Sequence, residues 1–237
     1  EQGDPAGGVK LSRYKVSATR PSVSGNGSFG VFVDVLKDMC FISTDGSTVE
    51  DCMGWSDVSS VAMSPDESLF GFVFLDENGD PGNQIAVFDM DVEPVTDGIR
   101  TFDLVAPTFS EGDLSISTIE RADAMTFTSD NKYIIYDALN VIPLEDGSQL
   151  KAWSLYAIDL ETEQTLVLVP PVSGLQIAFP SLSHTSDNFI TFDAYDMDTG
   201  YSTICALNLN KGELEAVAMT ENWGTPCYVG DDTAVVY

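Results

Sequence analysis

Few side chains in this chain could carry out acid–base or nucleophilic chemistry. His184, in the segment SLSHTSDN, is the only histidine, so a Ser-His-Asp triad would have to use it. No G-x-S-x-G elbow accompanies it, and a turn histidine bonding nearby polar groups is the simpler interpretation. We therefore predict no catalytic residues, no cofactor and no enzyme activity.

Oxygen ligands for a hard cation occur once at a suggestive spacing. Asp76, Asn78 and Asp80 hold positions one, three and five of a loop, as in calcium-binding loops. The match then fails, because Pro81 stands where the sharp turn needs glycine and Val87 holds position twelve. Asp196–Gly200 (DMDTG) is a shorter version with the same weakness. We predict solvated acidic turns and no metal site.

The four cysteines are Cys40, Cys52, Cys205 and Cys227, and none of them has the C-x-x-C spacing of zinc or thioredoxin-type motifs. Cys40 and Cys52 flank a nearly symmetric segment centred on Gly46, which predicts a hairpin with the two cysteines directly opposed. Opposed residues lie close enough for a disulfide, and Cys205–Cys227 follows only by elimination. Disulfides would require an oxidising, extracytoplasmic compartment; the alternative is four buried thiols in a cytosolic protein.

The charge excludes whole classes of partner. Lys and Arg total 10 against 38 Asp and Glu, which gives a formal net charge of −28 over 237 residues. Nucleic acids and anionic membranes need a basic surface, so we expect neither as a partner. No apolar run approaches the ~18 residues that a membrane-spanning helix needs, which predicts no membrane insertion.

The elements that position these side chains come from a repeated hairpin. Each copy has a polar turn with Asp, Asn or Gly, followed by a β-rich strand that ends in an aromatic residue. The copies are Pro21–Phe32, Ala62–Phe72, Met125–Tyr136, Pro180–Phe192 and Pro226–Tyr237. Further strands follow most copies, so each unit has four antiparallel strands in about 45 residues, the size of a propeller blade.

The sequence thus predicts an all-β fold, a β-propeller of four-stranded antiparallel blades with about four complete blades and a partial one. A β-sandwich is the rival, but it does not explain five copies of one hairpin. After a flexible leader at 1–8, residues 9–237 form a single domain with blades near 16–52, 56–107, 119–171 and 174–219, and a partial blade at 223–237. A parent ring of six or seven blades would account for the partial blade, with which Val9–Val16 could pair. Thr108–Ser117 and Leu139–Leu150 are predicted loops.

Two stretches carry a family resemblance: SPDES (Ser64–Ser68) with the strand after it, and TSDNKYIIY with the downstream LYAIDLETEQ. They resemble the TolB-like propeller repeat, also described as PD40 or WD40-like, although the S-P-D-G turn is imperfect in every copy. That family includes periplasmic adaptors, propellers that gate prolyl-oligopeptidase-like peptidases, some oligogalacturonate lyases and surface lipoproteins. The related lyases hold a metal with several histidines, which one histidine cannot supply. The resemblance therefore implies a fold more than a function.

We accordingly expect a non-enzymatic, secreted or periplasmic propeller that acts as a protein- or glycan-binding scaffold, with the partner at the blade loops. The alternative is an accessory propeller of a larger hydrolase or lyase whose catalytic part lies outside this chain. A purely structural role, as a surface-layer or filament component, is a third hypothesis.

Overall fold

The computed structural model describes residues 20–45, 51–92, 95–105, 118–229 and 231–237. They form a β-propeller, in which four antiparallel sheets of four strands, here called blades 1 to 4, surround a common axis and a small fifth sheet follows. Strands succeed one another as neighbours in every blade. The described part of the chain holds a single 3-10 helix, Val95–Gly98, and no α-helix. The fold prediction is confirmed.

The two N-terminal blades have short strands. Blade 1 contains β1 (Ser22–Val23), β2 (Phe29–Val33), β3 (Met39–Ser43) and β4 (Asp51–Cys52). Blade 2 contains β5 (Val58–Met63), β6 (Leu69–Phe74), β7 (Gln84–Asp89) and β8 (Ile99–Asp103). The apolar run LFGFVF favours a strand that is buried on both faces, and four of its six residues are buried.

The next two blades have longer strands. Blade 3 contains β9 (Thr118–Phe127), β10 (Tyr133–Pro143), β11 (Gln149–Asp159) and β12 (Thr165–Val169). Blade 4 contains β13 (Leu175–Leu182), β14 (Phe189–Asp196), β15 (Ser202–Asn208) and β16 (Glu213–Thr220). The fifth sheet pairs β17 (Cys227–Tyr228) with β18 (Val235–Val236).

The first strands of the blades line the axis. Strand β5 packs against β1 and β2, β9 against β5, β13 against β9, and β17 against β13. Apolar cores fill the spaces between successive blades. The aromatic residues that end the repeated hairpin, Phe72, Tyr136 and Phe192, are almost fully buried in these cores, whereas Tyr237 is exposed. Burying such large rings between sheets is the main apolar contribution to stability.

The prediction of a loop at Leu139–Leu150 is wrong. Strands β10 and β11 form one long hairpin whose register continues to Pro143 opposite Gln149, so only 144–148 connect them. Asn140, which looked like a loop residue, lies fully buried and donates its amide to the carbonyl oxygens of Ala138 and Ala152. Side-chain hydrogen bonds of this kind let a polar residue sit inside a strand, a possibility that residue type alone does not reveal.

One of the two predicted disulfides is present. Cys40 and Cys52 are opposed across β3 and β4, and their sulfurs are bonded. Cys205 and Cys227 are free thiols, so the pairing inferred by elimination is wrong. Cys205 lies in the core between blades 3 and 4, whereas Cys227 lies in the fifth sheet beside Arg20, on the far side of blade 4. The centre of the first hairpin at Gly46 lies outside the described residues, as do the leader 1–8, the Val9–Val16 strand and the Thr108–Ser117 loop.

Candidate functional site

One face of the propeller is built from the turns that join first and second strands. We call 24–29, 64–69, 128–133, 183–189, 229 and 231–234 the turn belt. In blade 2 the Ser64 hydroxyl donates to Asp66 (2.7 Å) and accepts the amide of Leu69 (2.9 Å). The amide of Ser68 donates to the same Asp66 oxygen (3.1 Å). Ser24 with Asn26, and Thr128 with Asp130, repeat this arrangement. The repeated turn signature is therefore a local hydrogen-bonded motif.

The turn belt also joins the blades. Asn131 of blade 3 donates to Asp66 of blade 2 (2.8 Å), and the Ser129 amide donates to Asp187 of blade 4 (2.9 Å). Burial acts to raise the pKa of Asp66, but hydrogen bonds from Asn131, Ser64 and Ser68 outweigh it and hold that pKa below its usual range. These carboxylates are occupied by their neighbours, so this face offers little free hydrogen-bonding capacity to a partner.

His184 lies in the turn belt rather than in a catalytic site. Asp232 of the fifth sheet accepts the Ser183 hydroxyl (2.7 Å) and the backbone amide of His184 (2.9 Å). Despite the burial that opposes it, hydrogen bonding from Thr185, His184 and Ser183 lowers the pKa of Asp232 to about 2. The serine donates to a carboxylate and not to an imidazole, and the histidine is exposed. This geometry fits the turn interpretation and lacks the nucleophile–base contact of a triad.

Two buried aspartates near the axis were not found from the sequence. Asp137 on β10 accepts the amides of Ala124 and Phe179 (2.8 Å each), and so joins β9 of its own blade to β13 of the next. Asp193 on β14 accepts the amide of Thr225 (2.7 Å) just before β17. Phe179 and Thr225 both have positive φ, at 57° and 50°, a conformation that needs such support. The signal in the sequence was an aspartate inside an apolar strand, YIIYDALN and FITFDAYD.

The axial charges are compensated by one another and by backbone groups. Burial, together with nearby Asp123, raises the pKa of Asp137, and the amides it accepts oppose that shift. Arg20 donates to the carbonyl oxygens of Pro180 (3.2 Å) and Pro226 (2.7 Å), which ties the start of blade 1 to blade 4 and the fifth sheet. Asp137 and Asp193 both favour its positive charge. The axis is therefore a structural polar network.

The acidic loop at Asp76–Asn83 is folded on itself. Asp76 accepts the amides of Asn78 (2.8 Å) and Asp80 (3.0 Å), and Asp80 pairs with Arg121 (3.1 Å). Asp196 likewise accepts the amide of Asp198 (2.8 Å). Within the described residues, no three acidic, histidine or cysteine side chains lie together as metal ligands. The carboxylates that calcium would need here are serving as turn acceptors.

The opposite face is formed by the turns between second and third strands, which we call the hairpin rim: 34–38, 74–83, 143–149 and 196–201. Every blade exposes large apolar side chains there. They are Val35, Leu36, Phe74, Leu144, Met197 and Tyr201. Leu36 and Met197 expose 78% and 60% of their surface. Apolar groups that recur on one face of a rigid scaffold mark an interaction surface.

Acidic side chains alternate with these apolar groups along the rim. Blade 1 contributes Asp38, blade 3 contributes Glu145 and Asp146, and blade 4 contributes Asp196 and Asp198. The basic side chains near the rim are Lys37 in blade 1, Arg121, which pairs with Asp80, and Lys151, which pairs with Glu120. The hairpin rim is thus apolar and acidic together, which matches a partner that is apolar and basic.

The tryptophans are mainly packing residues. Trp55 contacts Phe72 (5.3 Å) and Phe88 (6.0 Å) in the core between blades 1 and 2. Trp153 is half-buried, with the Arg121 guanidinium 5.8 Å from its ring centre. Trp223 stacks on Tyr195 (4.9 Å) between blade 4 and the fifth sheet and is 38% exposed. None of the three is a free aromatic platform of the kind that sugar binding uses.

Comparison with known proteins identifies the fold. No protein-family model matches the chain, and no curated protein matches it. Among solved structures, a protein assigned as TolB from Agrobacterium tumefaciens matches with TM-score 0.44 and 12% identity over 85% of this chain and 80% of that chain. The tricorn protease matches with TM-score 0.52 and 12% identity over 91% of this chain but 23% of its own. Hydrazine synthase from Kuenenia stuttgartiensis matches with TM-score 0.49 and 13% identity over 91% of this chain and 78% of that chain. At such low identity these similarities concern the fold alone.

No helix in the described part of the chain is long and apolar enough to cross a membrane.

Proposed function

We propose that this chain is a non-enzymatic β-propeller scaffold that binds a protein partner through its hairpin rim. The observation that carries the proposal is the recurrence of exposed apolar side chains on that rim in all four blades. Among the described residues of the turn belt, Phe189 and Val229 are the only exposed large apolar side chains, so the two faces are not equivalent. A binding surface with an apolar centre and a charged margin is typical of protein–protein recognition.

The charge defines the chemistry of the partner. The acidic side chains of the rim and the net charge of −28 favour a basic partner and repel polyanions. A protein partner is preferred over a glycan because the most exposed rim side chains, Leu36 and Met197, are aliphatic or thioether groups rather than flat rings.

An oxidising, extracytoplasmic location belongs to the same proposal. Cys40 and Cys52 form a disulfide between β3 and β4, and such bonds persist in periplasmic, cell-surface or secreted proteins. The free thiols Cys205 and Cys227 are at least partly buried, which is compatible with that environment. Burial, and secondarily Asp193, raises the pKa of Cys205 to about 11, so this thiol stays protonated and unreactive.

A peptide library displayed on phage tests the rim. Selected peptides should be rich in Lys, Arg and large apolar residues. The double variant Leu36→Ser and Met197→Ser should lose them, because it removes exposed apolar contacts without touching a core. The control Met90→Ser and Phe189→Ser changes two exposed apolar residues on the turn-belt side and should keep them. Peptides that bind both variants equally, or a selection dominated by acidic peptides, would overturn the proposal.

An accessory role in a larger hydrolase or lyase is the second candidate function. The tricorn protease offers a parallel, since a region of this fold makes up about a quarter of that chain. A parent gene that continues into an α/β-hydrolase segment with a G-x-S-x-G elbow would favour this candidate. A parent gene that encodes only further blades would favour the scaffold.

A further inference from the structure

The outer strand of blade 4 differs from the other outer strands. Strand β16 has eight residues, against two in β4 and five each in β8 and β12. Each of the other three contributes to an apolar core, through Cys52, Phe102 and Val167. Strand β16 contributes to none of these cores and is held by its ladder with β15. Its outer edge pairs with no strand in the described part of the chain.

The two sides of β16 have different chemistry. Leu214 and Ala216 lie opposite Leu207 and Cys205, which face the core between blades 3 and 4, so they are on that side. Met219, opposite Thr203, is on the same side. Leu214 and Met219 expose 61% and 69% of their surface, more than any other large apolar residue within a described strand.

The opposite side of β16 is acidic at its start. Glu213 and Glu215 pair with Asn208 and Ala206, which lie on the opposite side of β15 from Leu207 and Cys205, and both glutamates are exposed. Exposed edges are usually protected by lysine, proline or very short length. Strand β16 has neither residue type and is long. Its protective features are the two glutamates and a bulge at Val217, and Lys211, just before the strand, pairs with Glu213 (3.6 Å).

We infer that the free edge of β16 is a docking surface for an extended peptide segment in which apolar and basic residues alternate. Such a segment adds a fifth strand to blade 4 through backbone hydrogen bonds. Its apolar side chains cover Leu214, and its basic side chains lie beside Glu213 and Glu215. A second copy of this chain is disfavoured as occupant, because two edges that carry glutamates on proteins of charge −28 repel each other.

The bulge at Val217 limits how much of the edge can pair. The regular ladder runs from Glu213 to Ala216 on one side of the bulge and from Ala218 to Thr220 on the other. A docked strand therefore pairs mainly with the first half, where the glutamates are. Short pairing of this kind produces reversible binding that depends on salt.

Fluorescence anisotropy with a labelled ten-residue peptide of alternating Val and Lys tests the docking surface. The expected result is saturable binding that weakens as salt rises. Two further peptides of equal charge are needed: one with the lysines in a single block, and one N-methylated at every second residue, which blocks the backbone donors of one edge. Both should bind at least about tenfold more weakly, because the block peptide cannot place all its lysines on one face and the N-methylated peptide cannot form the backbone hydrogen bonds.

Two charge-matched protein variants locate the binding. Glu213→Lys with Glu215→Lys should weaken the alternating peptide by at least about tenfold. Glu161→Lys with Glu163→Lys makes the same change of charge on the turn of blade 3, before β12, and should have a small effect. Equal loss in both variants, or equal binding of the N-methylated peptide, would show plain charge attraction and overturn the inference.

The hairpin-rim double variant separates this surface from the proposed function. Leu36→Ser with Met197→Ser should leave the binding of the alternating peptide unchanged, because Glu213 and Glu215 lie at the turn-belt end of blade 4, away from the rim. If the rim variant abolishes peptide binding while the β16 variant preserves it, the edge inference fails and the rim proposal stands.

Discussion

Blades 1 and 3 are the same four-stranded meander, yet they are stabilised by different means. Blade 1 has strands of two and five residues and carries the Cys40–Cys52 disulfide. Blade 3 has strands of up to eleven residues and carries buried polar groups, above all Asp137 and Asn140. Short strands form few ladder hydrogen bonds, so a covalent link does more for them. Long, well-packed strands can enclose hydrogen-bonded polar groups such as Asp137 and Asn140.

Loss of Asp137 is the largest effect that this comparison predicts. Asp137→Ala leaves the amides of Ala124 and Phe179 buried without an acceptor. Each unsatisfied buried group costs about 1–3 kcal/mol, so we expect the free energy of unfolding to fall by about 4 kcal/mol. Urea unfolding followed by tryptophan fluorescence measures this change. A loss below about 1 kcal/mol would mean that blade 3 does not depend on its buried aspartate.

The disulfide of blade 1 should have the next largest effect. Cys40→Ser with Cys52→Ser opens a link between residues 12 apart in sequence. A loop of that size predicts a loss of about 2–3 kcal/mol in the free energy of unfolding. The matched control is Cys227→Ser, which changes a free and only partly buried thiol and should have a smaller effect. If reducing agent leaves the free energy of unfolding of the native protein unchanged, blade 1 does not depend on its disulfide and the comparison of the two blades fails.

The turn belt should show the smallest effect, because it is common to both blades. Blade 1 uses Asn26 where blade 3 uses Asp130. Each side-chain oxygen accepts the hydroxyl two residues before it and the backbone amide two residues after it. Asp130→Asn should therefore change the free energy of unfolding at neutral pH by less than about 1 kcal/mol. Its exposed pair with Lys132 (3.4 Å) adds little.

The pH dependence of the same variant has a definite sign. Burial acts to raise the pKa of Asp130, but hydrogen bonds from Lys132 and Thr128 lower it overall. A lowered folded pKa adds stability above the unfolded pKa of about 3.9, and this stability is lost as the pH falls through the folded value. Asp130→Asn should thus lose less stability than the native chain between about pH 5 and pH 2. Parallel acid-unfolding curves for the two proteins would contradict the assigned role of the carboxylate.

The repeated hairpin and its turns could be predicted from the sequence because their chemistry is local. Ser64, Asp66 and Leu69 lie within six residues, and their hydrogen bonds need no other part of the chain. The Cys40–Cys52 bond follows in the same way from one hairpin register. The error at Leu139–Leu150 has the opposite cause: Asn140 and Pro143 are typical of loops, but burial of Leu139 and Ile142 against the rest of the propeller extends the hairpin.

Contacts between blades could not be predicted, since they join residues far apart in the chain. Asp137 meets Phe179 across 42 positions, and Arg20 meets Pro226 across 206. The Cys205–Cys227 disulfide was wrongly predicted for the same reason. Pairing the two remaining cysteines takes no account of which side of a blade each one occupies. The exposed edge of β16 and the apolar hairpin rim likewise depend on which surfaces the stacked blades cover. Local hydrogen bonding thus determined the hairpins of this protein, and the stacking of blades around the axis decided which side chains are buried, joined or left for a partner.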